Sequence, residues 1–168
     1  VLQAAGLDLT VFRPSVIFGA EDKFLNLFAK LQTVFPVMPL AGAATKFQPV
    51  WVEDVAQAVV NSLSQPNTSK NQIFEVCGPD VFTLKELVQL SAIAAGINLG
   101  QGRPVLALPP FLGKLQAMAM RLLPGEPLVS QDNLDSMKVD NIASGQLPGL
   151  TALGITPSAL AAIVPTYL

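Results

Sequence analysis

The side chains most often used in catalysis are scarce in this 168-residue chain. Histidine is absent, which excludes imidazole acid–base catalysis and removes the most common transition-metal ligand. The single cysteine, Cys77, has no partner for an internal disulfide or a Cys-x-x-Cys metal site. No cationic residue lies near it in sequence to favour the thiolate, so we expect Cys77 to be a buried, unreactive thiol.

The acidic residues and the charge balance exclude two further functions. Asp132, Asp135 and Asp140 are irregularly spaced and lack the glycine that marks a calcium-binding loop, which favours a solvated surface over a metal site. Ten Lys and Arg residues stand against twelve Asp and Glu residues, a net charge of −2 with no basic cluster. Because binding to nucleic-acid phosphates needs such a cluster, we predict neither a metal site nor a nucleic-acid partner.

The elements that must position any site alternate between strands and helices, which indicates an α/β fold. Short apolar runs rich in β-formers predict strands at residues 7–12, 47–52, 72–77 and 103–108. Thr83 and Glu86 have the spacing of a capping box, and Asp54 lies where another helix begins. Thr156 followed by Pro157 predicts the start of the last helix.

One stretch, residues 110–123, predicts an amphipathic helix whose apolar side chains need a covering surface. The most apolar window around it, residues 105–123, is interrupted by Pro109, Pro110, Lys114, Gln116 and Arg121, so it does not predict a membrane span. Core packing is the interpretation we favour, and a contact with a protein partner or a lipid surface is the alternative.

Three segments, taken in order, resemble the later half of an extended or atypical short-chain dehydrogenase/reductase. They are Thr10-Val-Phe-Arg-Pro-Ser-Val-Ile-Phe-Gly19, Phe47-Gln-Pro-Val-Trp-Val-Glu-Asp-Val-Ala56, and Phe74-Glu-Val-Cys-Gly-Pro79 followed by Thr83-Leu-Lys-Glu-Leu87. The stretch from Gly19 to Asn26 and the closing Leu153-Gly-Ile-Thr-Pro157 are similar to one subgroup. That subgroup contains the NAD(P)H-binding accessory subunit of respiratory complex I and its bacterial relatives.

The resemblance implies the last part of a Rossmann-type NAD(P)-binding fold plus a small C-terminal α/β substrate domain. Residues 1–64 would form the later Rossmann part, interleaved with the substrate domain, and residues 65–168 the small substrate or partner domain. The cofactor wall implied by the family maps onto Pro14, Ser15, Val16 and Ile17. The substrate-cleft candidates are Phe24, Asn26, Gln48 and Trp51.

Two family features have no counterpart in the sequence: the Gly-rich phosphate turn and the catalytic Tyr-x-x-x-Lys pair. The only tyrosine, Tyr167, has no lysine four residues on. We therefore expect a piece of a longer protein that binds NAD(P) weakly or not at all and has no catalytic residues of its own. Phe47 stands where related sugar-nucleotide epimerases carry a phosphate-binding arginine, which points away from a nucleotide sugar and toward another small or apolar ligand.

Two functions remain open at this point. One is an NAD(P)-dependent, epimerase-like or reductase-like enzyme, and the other is a non-catalytic NAD(P)H-binding assembly subunit related to complex I. We expect a cytoplasmic protein, peripheral to a membrane in the second case. The strand near residues 10–13 belongs in a parallel sheet, and an uncovered edge there predicts self-association.

Overall fold

The computed structural model describes residues 8–109 and 139–168, and it confirms the α/β class. The helix expected at residues 110–123 lies outside the described residues. The strands, in chain order, are β1 (Val11–Pro14), β2 (Ile17–Phe18), β3 (Met38–Ala41), β4 (Lys46–Phe47), β5 (Val50–Trp51), β6 (Ile73–Val76), β7 (Phe82–Thr83) and β8 (Val105–Leu108). The helices are α1 (Leu25–Val34), α2 (Val52–Ser64), α3 (Pro66–Ser69), α4 (Leu84–Ala94) and α5 (Leu160–Ile163), with 3₁₀ turns at Leu150–Leu153 and Val164–Thr166.

The described residues group into two compact units that alternate along the chain. The first unit contains residues 8–22, 48–81 and 142–167, and the second contains residues 23–47, 82–109, 139–141 and 168. The assignment of residues 1–64 and 65–168 to two domains stays a prediction. Of the described helices, none is long and apolar enough to cross a membrane.

The first unit is built on two parallel strand pairs, β1 with β6 and β2 with β5. Helix α2 lies in the long connection from β1 to β6, and parallel strands require a crossover connection of this kind. The phenyl rings of Phe12 and Phe74 stack across the β1–β6 pair with their centroids 5.9 Å apart. The buried core of this unit consists of Val50, Ala58, Phe74, Val76, Leu150, Leu153 and Ile155.

The second unit pairs β3 with β8 in parallel and β4 with β7 antiparallel, and it packs α1 against α4. Gln32 on α1 is fully buried. Its Nε2 donates to the Val88 carbonyl at 2.7 Å, and its Oε1 accepts from the Arg103 amide at 3.2 Å. This one side chain therefore links α1, α4 and the segment that leads into β8.

Helix α4 begins at the capping box that the sequence predicts. The Thr83 Oγ1 accepts from the Glu86 amide at 3.2 Å, and the Glu86 Oε2 accepts from the Thr83 amide at 2.7 Å. These bonds to Thr83 lower the pKa of the Glu86 carboxyl. The structure confirms the prediction. A capping box can be read from sequence because its two residues lie within one turn of each other.

The last helix begins later than predicted, and the prediction of Thr156 as its cap is wrong. Helix α5 begins at Leu160, with Ala159 in the capping position. The carboxylate of the buried Asp54 accepts hydrogen bonds from the Ser158 amide at 2.7 Å and from the Ser158 hydroxyl at 3.2 Å. These bonds hold the chain around Ser158 outside the helix. Asp54 thus accepts a backbone N–H, as expected of a capping carboxylate, but from Ser158 and not from its own helix α2.

Candidate functional site

Ser15 lies at the carboxyl end of β1, directly beside the end of β6. Its amide donates to the Val76 carbonyl at 3.2 Å, which continues the β1–β6 ladder by one residue. The residue is only 6% exposed, and its Oγ accepts from the Gln48 amide at 3.2 Å. Ser15 therefore ties the chain after β1 to the chain before β5.

Gln48 joins three separate segments of the first unit at these strand ends. Its side-chain Nε2 donates to the Gly78 carbonyl at 2.7 Å, and its Oε1 accepts from the Ala143 amide at 2.9 Å. Its backbone amide is the one that donates to Ser15. The half-buried side chain is thus anchored at both of its polar atoms.

Gly78 follows the end of β6 in a place where only glycine fits. Its amide approaches the Gln48 carbonyl at 3.4 Å, so the two backbones run close together. A Cβ added to Gly78 would lie 2.0 Å from the Pro49 carbonyl oxygen, far inside van der Waals contact. The Gly-Pro sequence after the β6 strand signals a turn, but the close approach to Pro49 has no signal in the sequence.

Two side chains near these strand ends, Cys77 and Glu75, have pKa values shifted in opposite directions. Partial burial raises the pKa of the Cys77 thiol, which favours the unreactive thiol form, but the residue is half-buried and not buried as predicted. Hydrogen bonds from Ser144 lower the pKa of the Glu75 carboxyl, whose Oε2 accepts from the Ser144 amide at 2.9 Å and the Gly145 amide at 3.2 Å. Glu75 therefore fixes residues 144 and 145 next to the segment that Gln48 holds.

The other predicted site residues of the first unit lie around this network. Pro14 ends β1, and the Val16 carbonyl accepts from the Val50 amide at 2.9 Å. Ile17 lies in β2 and is 40% exposed. Trp51 is in β5, paired in register with Phe18. The structure thus brings Pro14–Ile17, Gln48 and Trp51 into one unit, and their contact with a ligand stays a prediction.

Phe24 and Asn26 belong to the second unit. Phe24 occupies the capping position of α1, and its ring packs against the rings of Phe28 and Phe47 with centroid distances of 5.2 and 5.9 Å. Asn26 is partly exposed on α1. Their assignment to a substrate cleft stays a prediction.

Tyr167, the only tyrosine, is a hydrogen-bond donor held in a fixed place. Its hydroxyl donates to the Asp22 Oδ2 at 3.0 Å, and burial together with the Asp22 charge raises its pKa. The phenol therefore stays protonated near neutral pH. Among the described residues no group of three or more potential metal ligands comes together either.

Comparison with known proteins gives a clear relationship by sequence. The chain is 34% identical over 152 residues to the mitochondrial NADH dehydrogenase (ubiquinone) 1 alpha subcomplex subunit 9 of Mus musculus. The match covers 89% of this chain and 39% of the mouse protein, so the chain spans about two fifths of that relative's length. No protein-family model matches the chain.

Solved structures agree on the fold. A nucleoside-diphosphate-sugar epimerase from Staphylococcus aureus superposes with a TM-score of 0.63 at 14% identity, over 98% of this chain and 54% of that one. A UDP-glucose 4-epimerase from Thermus thermophilus, solved in complex with NAD, superposes with a TM-score of 0.60 at 19% identity. The match covers 98% of this chain and 48% of the epimerase.

The parallel strand pairs and these superpositions define the class: a Rossmann-type, epimerase-like α/β fold. The sequence match to the mouse complex I subunit agrees with the resemblance noted in the sequence, which is to the extended or atypical short-chain dehydrogenase/reductases and their complex I subgroup.

Proposed function

We propose that this chain supplies the nicotinamide-facing wall of an NAD(P)-binding, epimerase-like or reductase-like protein. One observation carries the proposal: Gln48 joins the carboxyl ends of the parallel strands β1 and β6. In open α/β sheets, ligands bind outside the carboxyl ends of the strands. Pro14, Ser15, Val16 and Ile17 cross this edge and are the proposed cofactor contacts.

The wall is suited to hold a ring in place and not to exchange protons with it. Ser15 is buried and engaged by Gln48, while Pro14 and Ile17 present apolar surface. Trp51, Phe24 and Asn26 remain the proposed contacts for a small or apolar substrate. Hydride transfer would come from the nicotinamide itself, and the protein would position it.

The isolated chain should bind the whole dinucleotide weakly or not at all. The sequence contains no Gly-rich turn to cradle the pyrophosphate, and it has no Tyr-x-x-x-Lys pair. Calorimetric titration of the chain with NADPH and with NADH tests this expectation. Micromolar affinity would contradict it.

The proposed wall itself is tested with half of the cofactor. Nicotinamide mononucleotide, titrated to millimolar concentration, should shift the amide NMR signals of Ser15, Val16, Ile17 and Gly78. Adenosine monophosphate, the matched half without nicotinamide, should leave these signals unchanged. Equal shifts from both ligands, or no shift from either, would contradict the proposal.

A second function is favoured by the 34% identity to a subunit of NADH dehydrogenase. In this version a longer protein containing the chain binds the dinucleotide without catalysis and joins a protein assembly peripheral to a membrane. A tagged form of this longer protein, produced in mouse cells that lack the matching mouse subunit, should then migrate with complex I on native gels. Migration only as a separate species would contradict the assembly role.

Self-association of the chain is part of the same proposal. Val11 and Ser15 direct their amides toward β6, so Phe12 directs its N–H and carbonyl to the opposite edge of β1. Pro14 has no N–H to offer on that edge, which limits pairing to a short stretch. Light scattering at high concentration should therefore show weak association, and a strictly monodisperse monomer would count against it.

A further inference from the structure

The position of the Gln48 side chain suggests a role different from the one its sequence position indicates. In the sequence it is a substrate-cleft candidate. In the structure its Nε2 is bonded to Gly78 and its Oε1 to Ala143, at 2.7 and 2.9 Å. A direct ligand contact would compete with the bonds that fix the amide.

We propose that Gln48 is a positioning residue that holds the carboxyl ends of β1 and β6 and residue 143 in a fixed arrangement, without touching the ligand. The inference rests on the proposed function, because the arrangement matters only if the wall at residues 14–17 binds the nicotinamide. In this role Gln48 maintains the shape of that wall and does not recognise the substrate.

The chemistry of the two side-chain bonds explains why glutamine fits this position. One polar atom must donate to a carbonyl and the other must accept from an amide, and a primary amide does both. Glutamate can accept from Ala143 but cannot donate to the Gly78 carbonyl when it is ionised. Methionine has a similar length and forms neither bond.

The backbone of Gln48 extends the same connection to Ser15. Its amide donates to the Ser15 Oγ, and its carbonyl faces the Gly78 amide at 3.4 Å. Displacement of the Gln48 side chain therefore loosens the Gly78 and Ala143 segments first and the Ser15 segment through the backbone. The ligand wall would lose its shape although none of its own residues had changed.

Amide hydrogen exchange and the half-cofactor titration test this inference on the 168-residue chain. Gln48→Met should raise the exchange rate of the Ala143 amide by about tenfold, since it loses a bond of ordinary strength. It should also weaken the binding of nicotinamide mononucleotide at residues 14–17 by about tenfold. Gln48→Glu should keep the Ala143 protection and restore part of the binding.

Gln57→Met is the matched control, because Gln57 is an exposed glutamine whose side-chain Nε2 donates to Asn61 on the same helix, α2. It should change neither readout. Binding lost in Gln48→Met while Ala143 stays protected would mean direct ligand contact and would overturn the inference. Binding unchanged in Gln48→Met would overturn it as well.

Failure of the proposed function gives a different result. If the unmodified chain shows no nicotinamide-dependent shift, the wall is not a nicotinamide site, and the inference falls with it. If the unmodified chain and Gln48→Met respond equally, only the role of Gln48 is refuted. The two failures are therefore separated by the response of the unmodified chain.

Discussion

Two glutamines, one in each unit, perform the same structural task in different surroundings. Gln32 joins α1, the carbonyl of Val88 on α4, and the amide of Arg103, and it is fully buried. Gln48 joins residues 15, 78 and 143 at the ends of two parallel strands and is only half-buried. From this difference in burial we expect the Gln32 bridge to contribute mainly to stability and the Gln48 bridge mainly to the shape of the strand ends.

The physical reason lies in what surrounds each bridge. In the second unit, the Gln32 bridge is fully buried, and a polar group left unpaired away from solvent is costly. In the first unit, the groups that Gln48 satisfies lie where a ligand is expected and where solvent has partial access. We therefore expect replacements of Gln32 to act on folding and replacements of Gln48 to act on binding.

The largest expected effect comes from Gly78, which shares the Gln48 network. Gly78→Ala places a Cβ 2.0 Å from the Pro49 carbonyl oxygen, and the backbones must move apart. We expect a loss of about 3 kcal/mol or more in unfolding free energy, as for other severe steric clashes. Gly149→Ala is the control, because its added Cβ meets only an ordinary contact at 3.5 Å. Urea unfolding that gave equal stabilities for the two variants would contradict the tight approach.

Replacement of the buried glutamine sharpens the comparison directly. Gln32→Leu removes the partner of the Arg103 amide and one of the bonds to the Val88 carbonyl, which keeps its bond from the Ser91 hydroxyl, and should lower stability by about 2–3 kcal/mol. Gln48→Met, at a half-buried site, should lower it by about 1–2 kcal/mol. Denaturant unfolding measures both, and the reverse order would break the comparison.

Asp54 provides a third bridge, with a carboxylate in place of an amide. Asp54→Ala removes both bonds to Ser158 and should lower stability by about 2 kcal/mol, the range for hydrogen bonds to charged groups. Glu53→Ala, an exposed neighbour in the same turn of α2, should change stability by less than about 0.5 kcal/mol. Thermal melts of the two variants would refute this role of Asp54 if they coincided.

The smallest effect concerns Glu75 and pH. Hydrogen bonds from Ser144 lower the pKa of Glu75 in the folded chain. The ionised Glu75 therefore contributes stability at pH values above its ordinary pKa of 4.5. That contribution is lost as the pH falls through the lowered pKa. Glu75→Gln should therefore lower stability slightly at neutral pH and reduce the acid sensitivity of unfolding. Stability profiles of the variant and the unmodified chain that superimpose from neutral pH down through 4.5 would contradict it.

Local signals predicted local structure, and long-range bonds decided the rest. The capping box at Thr83 was predictable because its two residues lie three apart. The late start of α5 was not, since the carboxylate that takes the Ser158 amide lies 104 residues earlier. In the same way, the sequence marked Ser15 and Gln48 as separate candidates. Their bond spans 33 residues, and the bond from Ala143 to Gln48 spans 95.

The central claim, that the ends of β1 and β6 hold the nicotinamide half of a dinucleotide, is tested most directly by contacts between ligand and protein protons. With nicotinamide mononucleotide in excess, nuclear Overhauser effects should connect the nicotinamide ring to the methyl groups of Val16 and Ile17. Such effects only to methyl groups of the second unit, for example those of Val88 or Leu108, would contradict the claim, as would their absence at ligand saturation.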